Sequence, residues 1–265
     1  MQLKDYEIID FHTHPFIAEK NNICAHQAYC QMSAEKTLST FDSLGIGRFC
    51  GSVLSTAAGR EDYKDPWEQN LAENRIALDL LAQYGDRYIP GFHVHPDYLD
   101  ESIEEMHRMH ALGIRLVGEL CPYRYGWEDY SSDAFSVLLD EAERLGMIVS
   151  IHSMGRDNMD RMVEKHPDLT IVAAHPGEYD VLMRHLRRMK MSENYYLDLS
   201  GTGLFRHGML RRLIDEVGAE RILFGTDFPT CNPSVFLGGI LLDELITDKE
   251  KEMILAGNAK RLLGL

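Results

Sequence analysis
The chain of 265 residues is predicted to fold as a single α/β domain, a (β/α)8 barrel. Three observations carry this expectation. Eight short apolar or β-branched runs recur along the sequence, each closes on a polar or turn-forming residue, and the stretches between them keep helical periodicity. The first run is Ile8-Ile9-Asp10-Phe11, and it closes on His12-Thr13-His14-Pro15. Side chains alternate between the faces of a strand, so His12 and His14 are expected to point the same way, with Pro15 stopping the ladder. Two imidazoles from one strand end supply half of a tetrahedral metal site.

The remaining runs follow in order. Residues 48–54 close on Ser55, and 88–94 close on a second histidine pair, His93 and His95. Residues 113–118 lead to Glu119, 147–151 to His152, 169–174 to His175, 194–199 to Ser200 and 221–226 to Asp227. Successive run ends lie 23 to 41 residues apart, room for a βαβ crossover in each gap. Helices are expected at 70–84 (apolar stripe Leu71, Ile76, Leu80, Leu81), at 133–145 and at 248–263. The second of these has Ser131 or Ser132 as its cap and Gly146 as its stop. An open doubly wound sheet is the structural rival, but it gives no reason for ligand-type residues at strand ends around the whole chain.

Composition agrees with one domain spanning 1–265. There is no low-complexity linker, no polar-to-apolar leader and no run near the roughly 18 apolar residues of a membrane span. The five cysteines, Cys24, Cys30, Cys50, Cys121 and Cys231, are scattered without a CxxC pair and read as free thiols in a reducing cytoplasm. With 27 Lys+Arg against 42 Asp+Glu, the net charge of −15 repels a phosphate backbone, so neither nucleic acid nor a membrane is an expected partner. A small-molecule substrate is, and a homodimer is compatible with the sequence.

The string IIDFHTHP, the histidines closing IVSIH and IVAAH, the segment LFGTDFP and the tail ILAGNAKRLLGL together resemble the amidohydrolase superfamily. The amidohydrolase-related branch, which holds hydrolases, lactonases and nonoxidative decarboxylases, is the closer match. The resemblance runs over nearly the full chain and implies a distorted (β/α)8 TIM barrel with a metal site at its C-terminal mouth. It makes His12 and His14 first-strand ligands, His152 and His175 the fifth- and sixth-strand histidines, and Asp227 the eighth-strand ligand. Glu119 falls where some members place a bridging carboxylate, and the metal count of one or two stays open.

A His/His/His/Asp set suits Zn²⁺ best, with Mn²⁺ or Fe²⁺ as alternatives. Zinc lowers the pKa of a bound water towards about 7, and a neighbouring carboxylate can take its proton. Asp227 is the expected base. His175 is expected either to complete a second metal site or to polarise the substrate carbonyl. For substrate contacts, the aromatic loop after Glu119 offers Tyr123, Arg124 and Trp127; an Arg fork receives a carboxylate in two-point geometry. His95 adds a further candidate contact. The long loop 16–32, with Cys24, His26, Tyr29 and Cys30, reads as a lid. His107, His110, His166, His185 and His207 fall on presumed helices and read as solvated. The expectation is thus a metal-dependent hydrolase opening a lactone, ester or amide bond in a small carboxylated substrate. A metal-dependent decarboxylase and a non-catalytic metal- or ligand-binding barrel are the alternatives.

Overall fold
A computed structural model describes residues 5–24, 33–154, 157–203 and 206–265. Eight strands form one parallel sheet in sequential order, β1 to β8. They are β1 (Ile9–Asp10), β2 (Arg48–Gly51), β3 (Tyr88–Phe92), β4 (Leu116–Leu120), β5 (Ile148–His152), β6 (Thr170–Ala174), β7 (Tyr195–Asp198) and β8 (Ile222–Leu223). All eight expected runs become strands, though most are shorter than the apolar runs that announce them. Glu119 and His152 stay within their strands, while the other polar closing residues fall in the loops that follow. The β1–β8 seam is closed by single hydrogen bonds rather than a long ladder. Phe11 N–H donates to the Phe224 carbonyl at 2.8 Å, His14 N–H to that of Phe228 at 2.7 Å, and Asp227 N–H to that of His12 at 2.8 Å. A parallel bridge joins Thr13 to Phe228. The barrel is a distorted (β/α)8 TIM barrel.

Burial divides the core into two layers. Inside the barrel, Ile9, Phe11, Cys50, Leu116, Ile148, Val172, Tyr196 and Leu223 pack into a floor, and Ala256 and Ala259 of the C-terminal segment cap it from below. Outside, the helices lay their apolar stripes on the strands. Pro66–Tyr84 starts one turn earlier than its apolar stripe suggests, because Asp65 accepts the Glu68 N–H at 2.9 Å and Pro66 is suited to a first turn. Asp133–Arg144 is capped by Ser132, whose Oγ accepts the Phe135 N–H at 3.3 Å. The last expected helix is broken by a π-turn, Met253–Gly257, between Asp248–Glu252 and Asn258–Leu263. Close strand approach explains one glycine: a Cβ on Gly51 would stand 1.8 Å from the Thr13 carbonyl oxygen.

Not every helical histidine is solvated. On Tyr179–Met191, His185 joins the inward stripe of Leu182, Leu186 and Met189 and is fully buried. His166, at a helix end, is buried too and meets Ser136 Oγ at 2.8 Å. The Ser153 hydroxyl donates to the Ala174 carbonyl, so its oxygen accepts from His185 Nε2–H at 3.0 Å, while Tyr195 donates its hydroxyl proton to His185 Nδ1 at 3.0 Å. That arrangement suits only the neutral ring, and burial, helped by Arg188, pushes its pKa down to about 3. The unfolded chain protonates this histidine near 6.5, so its stabilisation is present above that pH and is lost as pH falls towards about 3. Between pH 6.5 and 5 the loss is about 2 kcal/mol. Asp10 works in the opposite sense: burial raises its carboxyl to about 7, so its contribution grows as pH falls below that value. Urea unfolding of wild type and His185→Gln at pH 7.5 and pH 5 isolates the histidine. The variant should lose about 2 kcal/mol less between the two conditions, and parallel losses would refute the assignment.

Candidate metal centre
The barrel mouth gathers His12, His14, Glu119, His152, His175 and Asp227. The two-residue spacing of the first pair delivers what strand alternation demands: their Nε2 atoms lie 3.2 Å apart. Each ring is anchored from behind. His14 Nδ1–H donates to the Ser52 carbonyl at 2.9 Å, and His12 Nδ1–H donates to Asp198 Oδ2 at 2.9 Å. Both Nε2 lone pairs are therefore left for the cavity. Glu119 turns inward because the β4–β5 register shifts between Val117 and Leu120, which breaks simple alternation.

Glu119 Oε2 stands 3.4 Å from His12 Nε2 and 3.3 Å from His14 Nε2. Asp227 Oδ1 stands 3.4 Å from His14 Nε2 and 3.8 Å from His12 Nε2. Ligand bonds of about 2.1 Å place the corners of a tetrahedron about 3.4 Å apart. His12 Nε2, His14 Nε2 and Glu119 Oε2 thus have the spacing and the donor chemistry that could hold a first-row divalent metal, and Asp227 Oδ1 flanks both imidazoles. The other oxygen of the same carboxylate serves a second group: Glu119 Oε1 lies 3.0 Å from His152 Nδ1 and 3.5 Å from His175 Nε2. One carboxylate faces two imidazole pairs.

The electrostatics follow from this crowding. Burial alone would raise the Glu119 carboxyl, yet His12 and His152 hold it well below the usual carboxylate range. Burial alone would lower His12, yet Glu119 and Asp198 lift it well above the usual imidazole value. Backbone strain is spent here as well. Among the described residues, His175 (φ 65°) and Asp227 (φ 60°) are the non-glycine positions in the left-handed region. Gly201 is required beside them, since a Cβ there would sit 2.2 Å from His175 Nδ1.

Above the centre opens a cavity of about 600 Å³, walled in part by Tyr123, Arg124, Cys121 and Cys231. Arg124 Nη2 donates to the Ser55 carbonyl, while its buried Nε–H has no hydrogen-bond partner among the described residues. Tyr123 is half exposed and sets its ring edge-on to His152, centroids 5.1 Å apart. Two expected substrate contacts do not reach this cavity. His95 spends both nitrogens internally: Nδ1 accepts the Asp97 N–H at 3.1 Å and Nε2–H donates to the Tyr125 carbonyl at 2.9 Å. It caps the short turn begun by Pro96. Trp127 is buried against Tyr130 and Phe135, with centroids 5.5 and 4.9 Å away. Of the expected lid, 16–24 is described, with Ile23 on the cavity wall; 25–32, including His26, Tyr29 and Cys30, lies outside the described residues. Cys24, Cys50, Cys121 and Cys231 are free thiols.

Sequence reasoning assigns no role to Asp10 or Asp198 and reads Ser200 only as the close of a run. Asp198 is fully buried at the end of β7, and Ser200 Oγ lies 3.1 Å from both His12 Nδ1 and His175 Nδ1. Asp10 accepts from Thr226 N–H at 3.0 Å and Thr226 Oγ1–H at 2.6 Å, tying β1 to the loop after β8. Their shared signal is an acid or hydroxyl inside an otherwise apolar strand run.

With this geometry in place, the comparisons bear on it. A family model described as amidohydrolase matches residues 9–265. Among solved structures, the chain is similar to 2,6-dihydroxybenzoate decarboxylase from Rhizobium at 18% identity and TM-score 0.77, covering 98% of this chain and 99% of that one. It is similar to a dihydroxybenzoic acid decarboxylase from Polaromonas with bound manganese and the inhibitor 2-nitroresorcinol, at 17% identity and TM-score 0.73, covering 98% and 97%. It is also similar to a probable 2-pyrone-4,6-dicarboxylic acid hydrolase from Acinetobacter baumannii with citric acid bound, at 17% identity and TM-score 0.70, covering 98% and 100%. At these identities the likeness shows the fold. A search of curated proteins finds no match.

Proposed function
The chain belongs to the amidohydrolase family, and from that premise we propose that it is a divalent-metal-dependent hydrolase, zinc being the preferred ion, acting on a small carboxylated substrate. The observation that carries this reading is the division of Glu119, one oxygen towards His12 and His14, which Asp227 also flanks, and the other towards His152 and His175. Two donor sets joined by a carboxylate suit two ions, with His12, His14 and Glu119 holding one, Asp227 beside both imidazoles as its fourth donor, and Glu119, His152 and His175 holding the other. Bound there, the ions would supply Lewis acidity, lowering the pKa of a water and polarising a carbonyl.

The chain's own residues do the rest. Among the described residues the Asp227 Oδ2 hydrogen-bond partner is the Cys231 thiol at 3.8 Å, so this oxygen can accept a proton and later return it to the leaving group. Arg124 and Tyr123 wall the same side of the cavity, and the Arg124 guanidinium is the candidate partner of a substrate carboxylate. Hydrolysis of a lactone, ester or amide bond uses each of these elements.

The test is product analysis in ¹⁸O-labelled water with metal-replete protein and a panel of carboxylated lactones, esters, amides and aryl carboxylates. Hydrolysis places one label in the product acid. Carbon dioxide released with no label in the remaining product would replace the hydrolase with a decarboxylase, an activity that two of the structural neighbours carry in their names. Glu119→Gln tests the joined donor sets. Elemental analysis should show metal content falling from about two ions per chain towards one, because an amide gives up the charge that two cations share. A single ion in saturated wild type would remove the bridge.

A further inference from the structure
Behind the donor atoms lies a second layer that belongs to neither half of the centre alone. Asp198 is fully buried. Its Oδ2 accepts His12 Nδ1–H at 2.9 Å, and its Oδ1 accepts the Ser200 N–H at 2.9 Å together with the Ser200 hydroxyl proton. With that proton committed to Asp198, Ser200 Oγ is left as an acceptor. It lies 3.1 Å from His175 Nδ1 and 3.1 Å from His12 Nδ1. His175 Nδ1–H is the donor that fills it, which leaves His175 Nε2 bare and aimed at Glu119 Oε1.

The direction of every proton in this chain follows from one buried carboxylate. Asp198 accepts, Ser200 relays, and both histidines are fixed as tautomers with Nε2 free. His12 serves the first donor set and His175 the second. Gly201 completes the clamp by letting the loop press against His175, where any side chain would collide with the ring. We infer that Asp198 and Ser200 are positioning residues that couple the two halves of the metal centre, so that filling one half orders the ligand of the other. The inference rests on the two-ion reading above. Its physical basis is that an ion which immobilises His12 also immobilises the Asp198–Ser200 pair, and the His175 ring then needs no further ordering to bind.

The experiment is calorimetric titration of chelator-stripped, full-length protein with Zn²⁺ alone. It compares wild type, Ser200→Ala, Ser200→Thr and Asp198→Asn, with circular dichroism and melting of each stripped protein as a check on folding. Wild type should bind two ions. Ser200→Ala should weaken the second binding step by about 10–100-fold relative to the first, and Ser200→Thr, which keeps the hydroxyl, should restore wild-type binding. Asp198→Asn should weaken both steps, since it removes the charge that orients the whole relay. Histidine ¹⁵N spectra supply an independent readout: Nδ1–H tautomers for His12 and His175 in wild type, and a mixture for His175 in Ser200→Ala.

Three outcomes would overturn the coupling. One is a Ser200→Ala protein with an unchanged ratio of stepwise affinities, and another is a single ion in wild type. The third is failure of Ser200→Thr to rescue, which would assign the effect to packing rather than to the hydroxyl. Should Ser200→Ala not fold, the Thr and Asn variants decide alone: Asp198→Asn with wild-type affinities at both steps refutes the relay. Loss of metal from His12→Ala/His14→Ala alongside unaltered binding in the Ser200 variants would sink the coupling while leaving the proposed function intact.

Discussion
With His12 and His14 both replaced by alanine, the protein is expected to retain no tightly bound divalent metal after desalting and to lose activity to background. The two imidazoles are the closest pair of donor atoms in the first set, 3.2 Å apart, and both are buried with their outer nitrogens already hydrogen-bonded. Without them, Asp227 and Glu119 face a hole. The second set, Glu119, His152 and His175, keeps three donors, and the His152 side chain is 25% exposed, so an ion there exchanges readily with solvent. Elemental analysis against wild type, with circular dichroism to confirm folding, checks the result. Full metal content in the double variant would remove the basis for placing the centre at this mouth.

Asp227→Asn is expected to cost at least about 10²-fold in turnover while leaving most of the metal in place. Asparagine keeps the volume and one oxygen, so the ligand position facing His14 at 3.4 Å survives in shape. What it loses is the capacity to take a proton near neutral pH. Measuring kcat and metal content on the same preparation separates the two roles. Low turnover with metal retained marks a base, low turnover with metal lost marks chiefly a ligand, and wild-type turnover would move the base to His175 or Glu119.

Most of the fold and the outline of the centre were legible because a parallel barrel repeats one pattern: buried strand, polar closing residue, helix. His12, His14, Glu119, His152, His175 and Asp227 each occupy that closing position, and curvature brings the positions together without any residue having to be inferred separately. The pattern misleads where local capping competes. His93 and His95 copy the spacing of His12 and His14, but the turn that starts at Pro96 claims the His95 ring for an N-cap. Trp127 belongs to the aromatic loop expected to contact substrate, yet the helix Pro122–Tyr125 turns it back into the core. Asp198 takes no role from the sequence, and Ser200 reads only as the close of its run, because Tyr195-Tyr196-Leu197-Asp198-Leu199-Ser200 gives no hint of their partners; those lie on distant strands. His185 was misread although Leu182, Leu186 and Met189 share its stripe.

The narrow seam between β1 and β8 has a consequence for how the molecule is made. Asp10 meets Thr226 across 216 residues of chain, and His12 meets Asp198 across 186. Contacts so far apart in sequence close late, after local helices and neighbouring strands have formed. During synthesis the first two histidines leave the ribosome long before their carboxylate partners exist, and a nascent chain emerges N-terminus first. An early-captured ion would therefore find only a fragment of its final shell. A metal centre at this mouth would be completed only in the last stage of assembly, when the C-terminal segment seals the floor and the two ends of the barrel meet.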